Sequence, residues 1–397
     1  MTGVELEVEI GGCTREIVLS PFTLSLLEKV LDQYNISIED FVAAITTPPR
    51  KYFVRVNTLK TSPEGAIRLL KSEGENFSID NRIPEAIYTE VTGPFRIEHW
   101  STKGIVVAER FAAERVLLGA NLYAPGVVRI LEAREGDTVT IVDETGTPLA
   151  LGTLVSNPQR IGEHGIVVDV YKSVFHAPKI IETNAYARGI IFDQSFPSML
   201  VARLLQPSEN DFLLDLTASP GGKISHAYEL SGGKALTVGV DHTWKKVQKL
   251  KENLHRLGHT SVVVLKGDSR RIHEWCRGIR PNKTIVDPPC TALGNRPRLQ
   301  LQLEKRVVDD MVRLQKALLY EACRITVAGG LISYSTCTLT YEENEGIVEW
   351  ALRKLPLEIV EPSLPLPQSK LTDKPVVRFM PGVHDYPGFF IAIFRRI

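Results

Sequence analysis

The chain of 397 residues balances 47 Lys plus Arg against 47 Asp plus Glu, with 43% hydrophobic and 24% charged residues. That composition suits two or three globular domains with sizeable cores, and zero net charge leaves any nucleic-acid contact to local basic surfaces. Five cysteines without zinc-type spacing indicate neither a disulfide framework nor a metal site, and no signal peptide or apolar run long enough to span a membrane is visible, so a soluble, cytoplasmic protein is expected.

In chain order, Arg55-Val56-Asn57-Thr58-Leu59-Lys60 reads as a strand, and Ser62 to Lys71 as a helix. Between about Lys103 and Pro178 the runs Val127–Ile130, Thr138–Val142 and Gly165–Val170 are short, β-prone and separated by turn residues, which suggests a small barrel. The apolar run Phe212–Leu216 predicts a buried strand leading through Thr217-Ala218-Ser219-Pro220-Gly221-Gly222-Lys223 into a helix. Two glycines there let a ligand approach the backbone beside free helix amides, although a plain turn would use the same residues.

A second strand, Ala235–Val240, ends at Asp241, where a carboxylate can accept from ribose hydroxyls; a third, Val262–Gly267, ends at Asp268, placed for an adenine amino group. Both aspartates also suit ordinary strand-end turns. No Gly-x-Gly-x-x-Gly fingerprint is present, which favours S-adenosylmethionine over a dinucleotide. Lys245, Lys246, Lys249, Lys251 and Arg256 share one predicted helix, and Arg270, Arg271, Arg277, Arg280 and Lys283 follow; these are either a phosphate-binding surface or solvated faces.

Two further strands, Thr284–Val286 and Gly330–Tyr334, lead into Asp287-Pro288-Pro289-Cys290 and Ser335-Thr336-Cys337. A lone cysteine is commonly apolar filler. Two beyond the carboxyl ends of strands in one α/β sheet suggest covalent attack on a pyrimidine, because carbon 5 of cytosine accepts a methyl group only after a thiolate has added to carbon 6.

The segments Thr217 to His226, Asp287 to Cys290, Ser335 to Cys337 with Glu343-Asn344-Glu345, and Gly388-Phe389-Phe390-Ile391-Ala392 resemble the Nop/Sun family of RNA cytosine-5 methyltransferases. The resemblance implies Cys337 as the nucleophile, Cys290 as the residue assisting product release, Asp287 on the target base and Lys223 in the catalytic pocket. It assigns Ala218, Ser219, Pro220, Gly221, Gly222, Lys223, Asp241, Asp268 and Asp287 to S-adenosylmethionine. One departure is visible: the family loop often begins Cys-Ala-Ala, where this chain has Thr217-Ala218-Ser219.

Val106 to Glu109 and Ala112 to Gly126 resemble a PUA domain, an RNA-binding barrel, which implies Gly119, Ala120, Asn121 and Tyr123 as contacts for the 3′ CCA end of a tRNA. Arg55 to Lys60 with its helix resembles the family's small RNA-holding module, implying RNA contacts by Arg55 and Asn57. The expected architecture is thus a doubly wound, Rossmann-like α/β methyltransferase domain over 179–397, an inserted PUA domain over 103–178, and an N-terminal helical and RRM-like region over 1–102, with 179–205 a candidate to complete the RRM-like module. A PUA insertion resembles the member-six-like branch, which acts on the acceptor-stem cytosine at tRNA position 72. Alternatives are an rRNA cytosine-5 methyltransferase, a non-catalytic RNA-binding protein, and a DNA enzyme with Cys290 as nucleophile. No obligate protein partner is indicated.

Overall fold

The computed structural model describes residues 3–98, 102–156 and 164–397; the expected boundary at 102/103 adjoins residues 99–101, which lie outside that set. The largest sheet runs in the order Val263–Lys266, Leu236–Asp241, Phe212–Asp215, Lys283–Val286, Leu331–Thr336, Phe389–Arg396, Leu357–Val360, with Val377–Phe379 also paired to Phe389–Arg396. The first five strands are parallel and Phe389–Arg396 is antiparallel to its neighbours. Leu214, Val240, Val286, Ile332 and Tyr334 are buried because helices cover both faces of a parallel sheet, so its strands read as apolar runs.

The order of strands reverses beside Phe212–Asp215: the next strand in sequence lies on one side and the later Lys283–Val286 on the other. A crevice opens at such a switch point, outside the carboxyl ends of the strands. The helix Trp244–Leu257 illustrates how the covering layer is specified. Thr243 caps it, Val247, Leu250, Leu254 and Leu257 recur at helical spacing on its buried face, and Gly258 ends it at φ 83°.

A six-stranded sheet built from strands between Gly104–Ala108 and Ile166–Ser173 forms the expected barrel-like unit. The sequence reading missed its strand Pro148–Leu154, where an initial proline and a central glycine mask the pattern. A four-stranded sheet orders Ile191–Asp193, Lys51–Val56, Ala86–Glu90 and Ser78–Ile79, so a strand that follows the barrel in sequence does pair with the small module before it. The N-terminal hairpin Val4–Ile10 with Cys13–Leu19 was not anticipated. Together with helices Pro21–Tyr34 and Ile38–Thr46 it packs Leu27, Phe41 and Ile45 against Leu293, Leu339 and Met380, supporting the loops that carry the two cysteines.

Candidate active site

At the switch point the loop after Phe212–Asp215 meets the ends of the neighbouring strands. Gly221 adopts φ 115° at the start of the helix Gly222–Leu230, a left-handed conformation that a side chain would strain, and a Cβ there would stand 3.1 Å from Leu250. Gly239 faces the same loop; its added Cβ would lie 3.0 Å from that of Ala218. The Asp287 carboxylate accepts from Lys223 Nζ at 2.6 Å and Ser335 Oγ at 2.8 Å, while its amide donates to Thr217 Oγ1 at 3.0 Å. The glycine loop, Asp287 and the strand that leads to Cys337 are therefore hydrogen-bonded into one unit.

Cys290 and Cys337 lie with their sulfurs 3.4 Å apart. The hydrogen bond with Cys290 holds the Cys337 thiol below its ordinary range, with Lys223 and Arg298 assisting against burial and Asp287. The same contact pushes the Cys290 thiol well above the usual value, and burial adds to the shift. Of the two, it is Cys337 that lines a cavity of about 660 Å³ together with Lys223, Asp287, Phe389 and Ala218–Pro220. That volume is typical of a small-molecule or nucleotide site.

A second cavity, of about 470 Å³, is lined by Asp241, Asp268, Ser269, Pro289 and Leu318, and Thr217 borders both. Asp241 is buried and accepts from the Ser219 and His242 amides at 3.2 and 2.8 Å. Asp268 instead forms a fork with Arg270, whose Nη2 is 2.7 Å from its carboxylate. A cleft of this size that presents one buried and one partly exposed carboxylate beside Pro289, Leu314 and Leu318 fits an adenosine bearing ribose hydroxyls. The loop residues Ala218, Ser219, Pro220, Gly222 and Lys223 line the first cavity, while Asp241 and Asp268 line the second, and the Ser219 amide bonded to Asp241 links the two.

Several contributors had no role assigned from the sequence. Glu343, fully buried, accepts from the Thr291 amide and hydroxyl at 3.0 and 2.5 Å, from Gln315 at 2.8 Å and from Thr340 at 2.9 Å. Asn344 accepts from Thr336 at 2.5 Å and donates to the Thr338 carbonyl at 3.0 Å. Together they lock the segments after Cys290 and around Cys337. Arg298 donates to the Ala292 carbonyl at 2.6 Å, bracing the same turn. Asp215, at the strand end, has its pKa raised to about 7, chiefly by burial and secondarily by Asp287 and Asp241. The signal for Glu343 was its place in the resemblance, and its role is legible only in three dimensions.

Other expectations need correction. Arg55 is fully buried, donating to Gln194 at 2.5 Å, the Gly222 carbonyl at 2.6 Å, Ser225 at 2.7 Å and Glu229 at 2.9 Å. Asn57, also buried, donates to the Gly189 and Leu257 carbonyls at 3.1 and 2.9 Å. Both weld the small module to the catalytic domain and present nothing to RNA. Asn121 is buried as well: its amide donates to Glu182 at 2.9 Å and its oxygen accepts from Lys179 at 2.7 Å, so the turn is built around it. Gly119 has φ 95°, and Tyr123 with Ala120 lines a surface cavity of the barrel. The basic run also divides: Arg256 stacks 3.7 Å over Tyr186, while Arg270 and Arg271 pair with Asp268 and Glu274.

A Rossmann-like sheet with an adenosine-sized cleft joined to a cysteine-lined cavity defines a methyltransferase, and comparison with known proteins agrees. A family profile described as 16S rRNA methyltransferase RsmB/F matches residues 202–395, and a PUA domain profile matches 104–173. The tRNA (cytosine(72)-C(5))-methyltransferase of Pyrococcus horikoshii is 36% identical over 354 residues, 88% of this chain and 90% of that protein. Its human counterpart, NSUN6, is 28% identical over 91% of this chain and 84% of its own length. The crystal structure of NSun6 from Pyrococcus horikoshii with SFG, an S-adenosylmethionine analogue, superimposes with a TM-score of 0.85 at 34% identity, covering 95% of this chain and 98% of that one. The chain belongs to the Nop/Sun family of RNA cytosine-5 methyltransferases, in the branch that carries a PUA domain. Its cofactor is S-adenosylmethionine.

Proposed function

We propose that the protein methylates carbon 5 of cytosine 72 in the tRNA acceptor stem through a covalent adduct on Cys337, in the cytoplasm. The observation that carries the chemistry is the sulfur pair at 3.4 Å, with Cys337 facing the cavity beside Asp287 and Lys223. A stacked base hides its carbon 6, so the terminal pair opens and the cytosine swings into the cavity. The Cys337 thiolate adds to carbon 6, which makes carbon 5 nucleophilic, and Asp287 with Lys223 holds the polar edge of the ring. S-adenosylmethionine, held by Asp241 and Asp268, supplies the methyl group to carbon 5. Once Cys337 has become a thioether, the negative neighbour that kept Cys290 protonated is gone. Cys290 then loses its proton to solvent more readily and, as the thiolate, takes the carbon 5 proton; the freed electron pair re-forms the carbon 5–carbon 6 double bond and expels Cys337 as a thiolate.

The tRNA target is supported by the PUA helix Arg110–Val116, because Phe111, Glu114 and Arg115 line the catalytic cavity itself. An anchor on the CCA end, at the turn Gly119-Ala120 with Tyr123, would hold a nearby stem base over that cavity and raise its effective concentration. Incubating the protein with S-adenosylmethionine, purified tRNAs and 16S rRNA, then mapping 5-methylcytosine, tests the assignment. Modification at tRNA position 72 is expected; modification of rRNA alone would replace it with the rRNA reading.

A further inference from the structure

Phe111, on the PUA helix Arg110–Val116, lines the catalytic cavity while remaining 58% exposed. A single exposed apolar residue is ordinary on a protein surface. This one is set apart by how firmly it is held. The Arg110 guanidinium lies 4.4 Å from the ring centroid and covers one face. Arg110 is itself fixed, because its Nη1 donates to Gln300 at 3.1 Å and its Nε stands 3.8 Å from Glu114. Glu114 in turn accepts from the Leu299 amide at 3.1 Å. Leu299 and Gln300 follow Arg298, which braces the turn after Cys290. A ring that belongs to the barrel is thus oriented by the catalytic loop, with one face backed by a cation and most of the residue left open. The reaction supplies a partner for that open surface. Swinging the cytosine into the cavity strips its pairing partner of hydrogen bonds and leaves that base beside the cavity mouth. Any base in that condition gains by stacking on an aromatic side chain, since every base has a π face, and Arg110 behind the ring adds positive charge next to the phosphate backbone.

We infer that Phe111 caps the base orphaned by extrusion of the target, nucleotide 1 of the acceptor stem, and so holds the terminal pair open. This rests on the proposed tRNA position 72 reading, which makes nucleotide 1 the partner of the target cytosine. The test is kcat/KM for methylation of position 72 in two transcripts, one intact and one carrying a ribose without a base at position 1. The proteins are the wild type, Phe111→Ala and Phe111→Trp. On the intact transcript Phe111→Ala should lose on the order of 5- to 150-fold, the range for one base stacked on an aromatic side chain. On the baseless transcript the same variant should match the wild type, because the ring there has nothing to cap. Phe111→Trp, which keeps an aromatic face, should retain the wild-type response to removal of the base. Equal losses by Phe111→Ala on both transcripts would reduce Phe111 to a packing residue of the barrel helix, and no loss on either would leave the ring without a part in extrusion; each result overturns the inference. Failure of the wild type to modify position 72 of the intact transcript would instead remove the tRNA reading, and the inference with it.

Discussion

Two sulfurs of one chemical type sit in different surroundings, which suit them to the different roles proposed for them. The two thiols share one hydrogen bond; Cys337 lies near Lys223 and Arg298, which favour its thiolate, whereas Cys290 sits near Glu343, which disfavours its own. The acidic limb of a kcat/KM against pH profile should therefore fall below the ordinary thiol value of 9.0 and move upward in Lys223→Met; an unmoved limb would take Lys223 out of the activation. Asp215 behaves oppositely. With its pKa raised from 3.8 to about 7, the folded protein holds a proton that the unfolded chain releases, so this group lowers stability progressively as pH rises from 4 to 7. Asp215→Asn should flatten that part of the stability curve, as measured by thermal melts across the interval. An unchanged pH dependence would place the effect in other groups.

At the scale of elements, the site depends on contacts that hold loops to strands and one sheet to another. Arg55 reaches from the small sheet to Glu229 and the Gly222 carbonyl, with neither side chain of the ion pair exposed. Arg55→Met would leave Glu229 with a buried charge and should cost about 3–5 kcal/mol in urea unfolding, as for other broken buried pairs. A loss below about 1 kcal/mol would show that His259, 2.8 Å from Glu229, compensates. This is also where sequence reasoning reached its limit. The strands, the glycine loop and both cysteine segments were legible because local apolar runs and turn chemistry specify them. Arg55, Asn57 and Asn121 were misread because an arginine or asparagine in a strand or turn looks the same whether it faces RNA or bonds to a carbonyl across 132 or more positions of sequence, as Asn57 does. The hairpin at the N-terminus alternates Glu with Val, Leu and Ile, a period-two signal that was present and overlooked.

Across the whole molecule, the PUA helix, the small sheet and the catalytic strands all border one cavity, which makes position as important as chemistry. Removing the CCA end from a substrate tRNA should raise KM several-fold while leaving S-adenosylmethionine affinity unaltered; equal kinetics for tailed and tailless tRNA would contradict the anchor. Asp241→Ala should do the converse, weakening cofactor binding by roughly 1–3 kcal/mol in calorimetry through loss of charge-assisted hydrogen bonds. The central claim, however, is the division of labour between the cysteines. Its most direct test is denaturing electrophoresis of each single cysteine variant after incubation with tRNA and S-adenosylmethionine. Cys290→Ala should trap a protein–RNA adduct, because attack and methyl transfer proceed while elimination stalls, and Cys337→Ala should give neither adduct nor product. An adduct from Cys337→Ala and none from Cys290→Ala would contradict the assignment and make Cys290 the nucleophile.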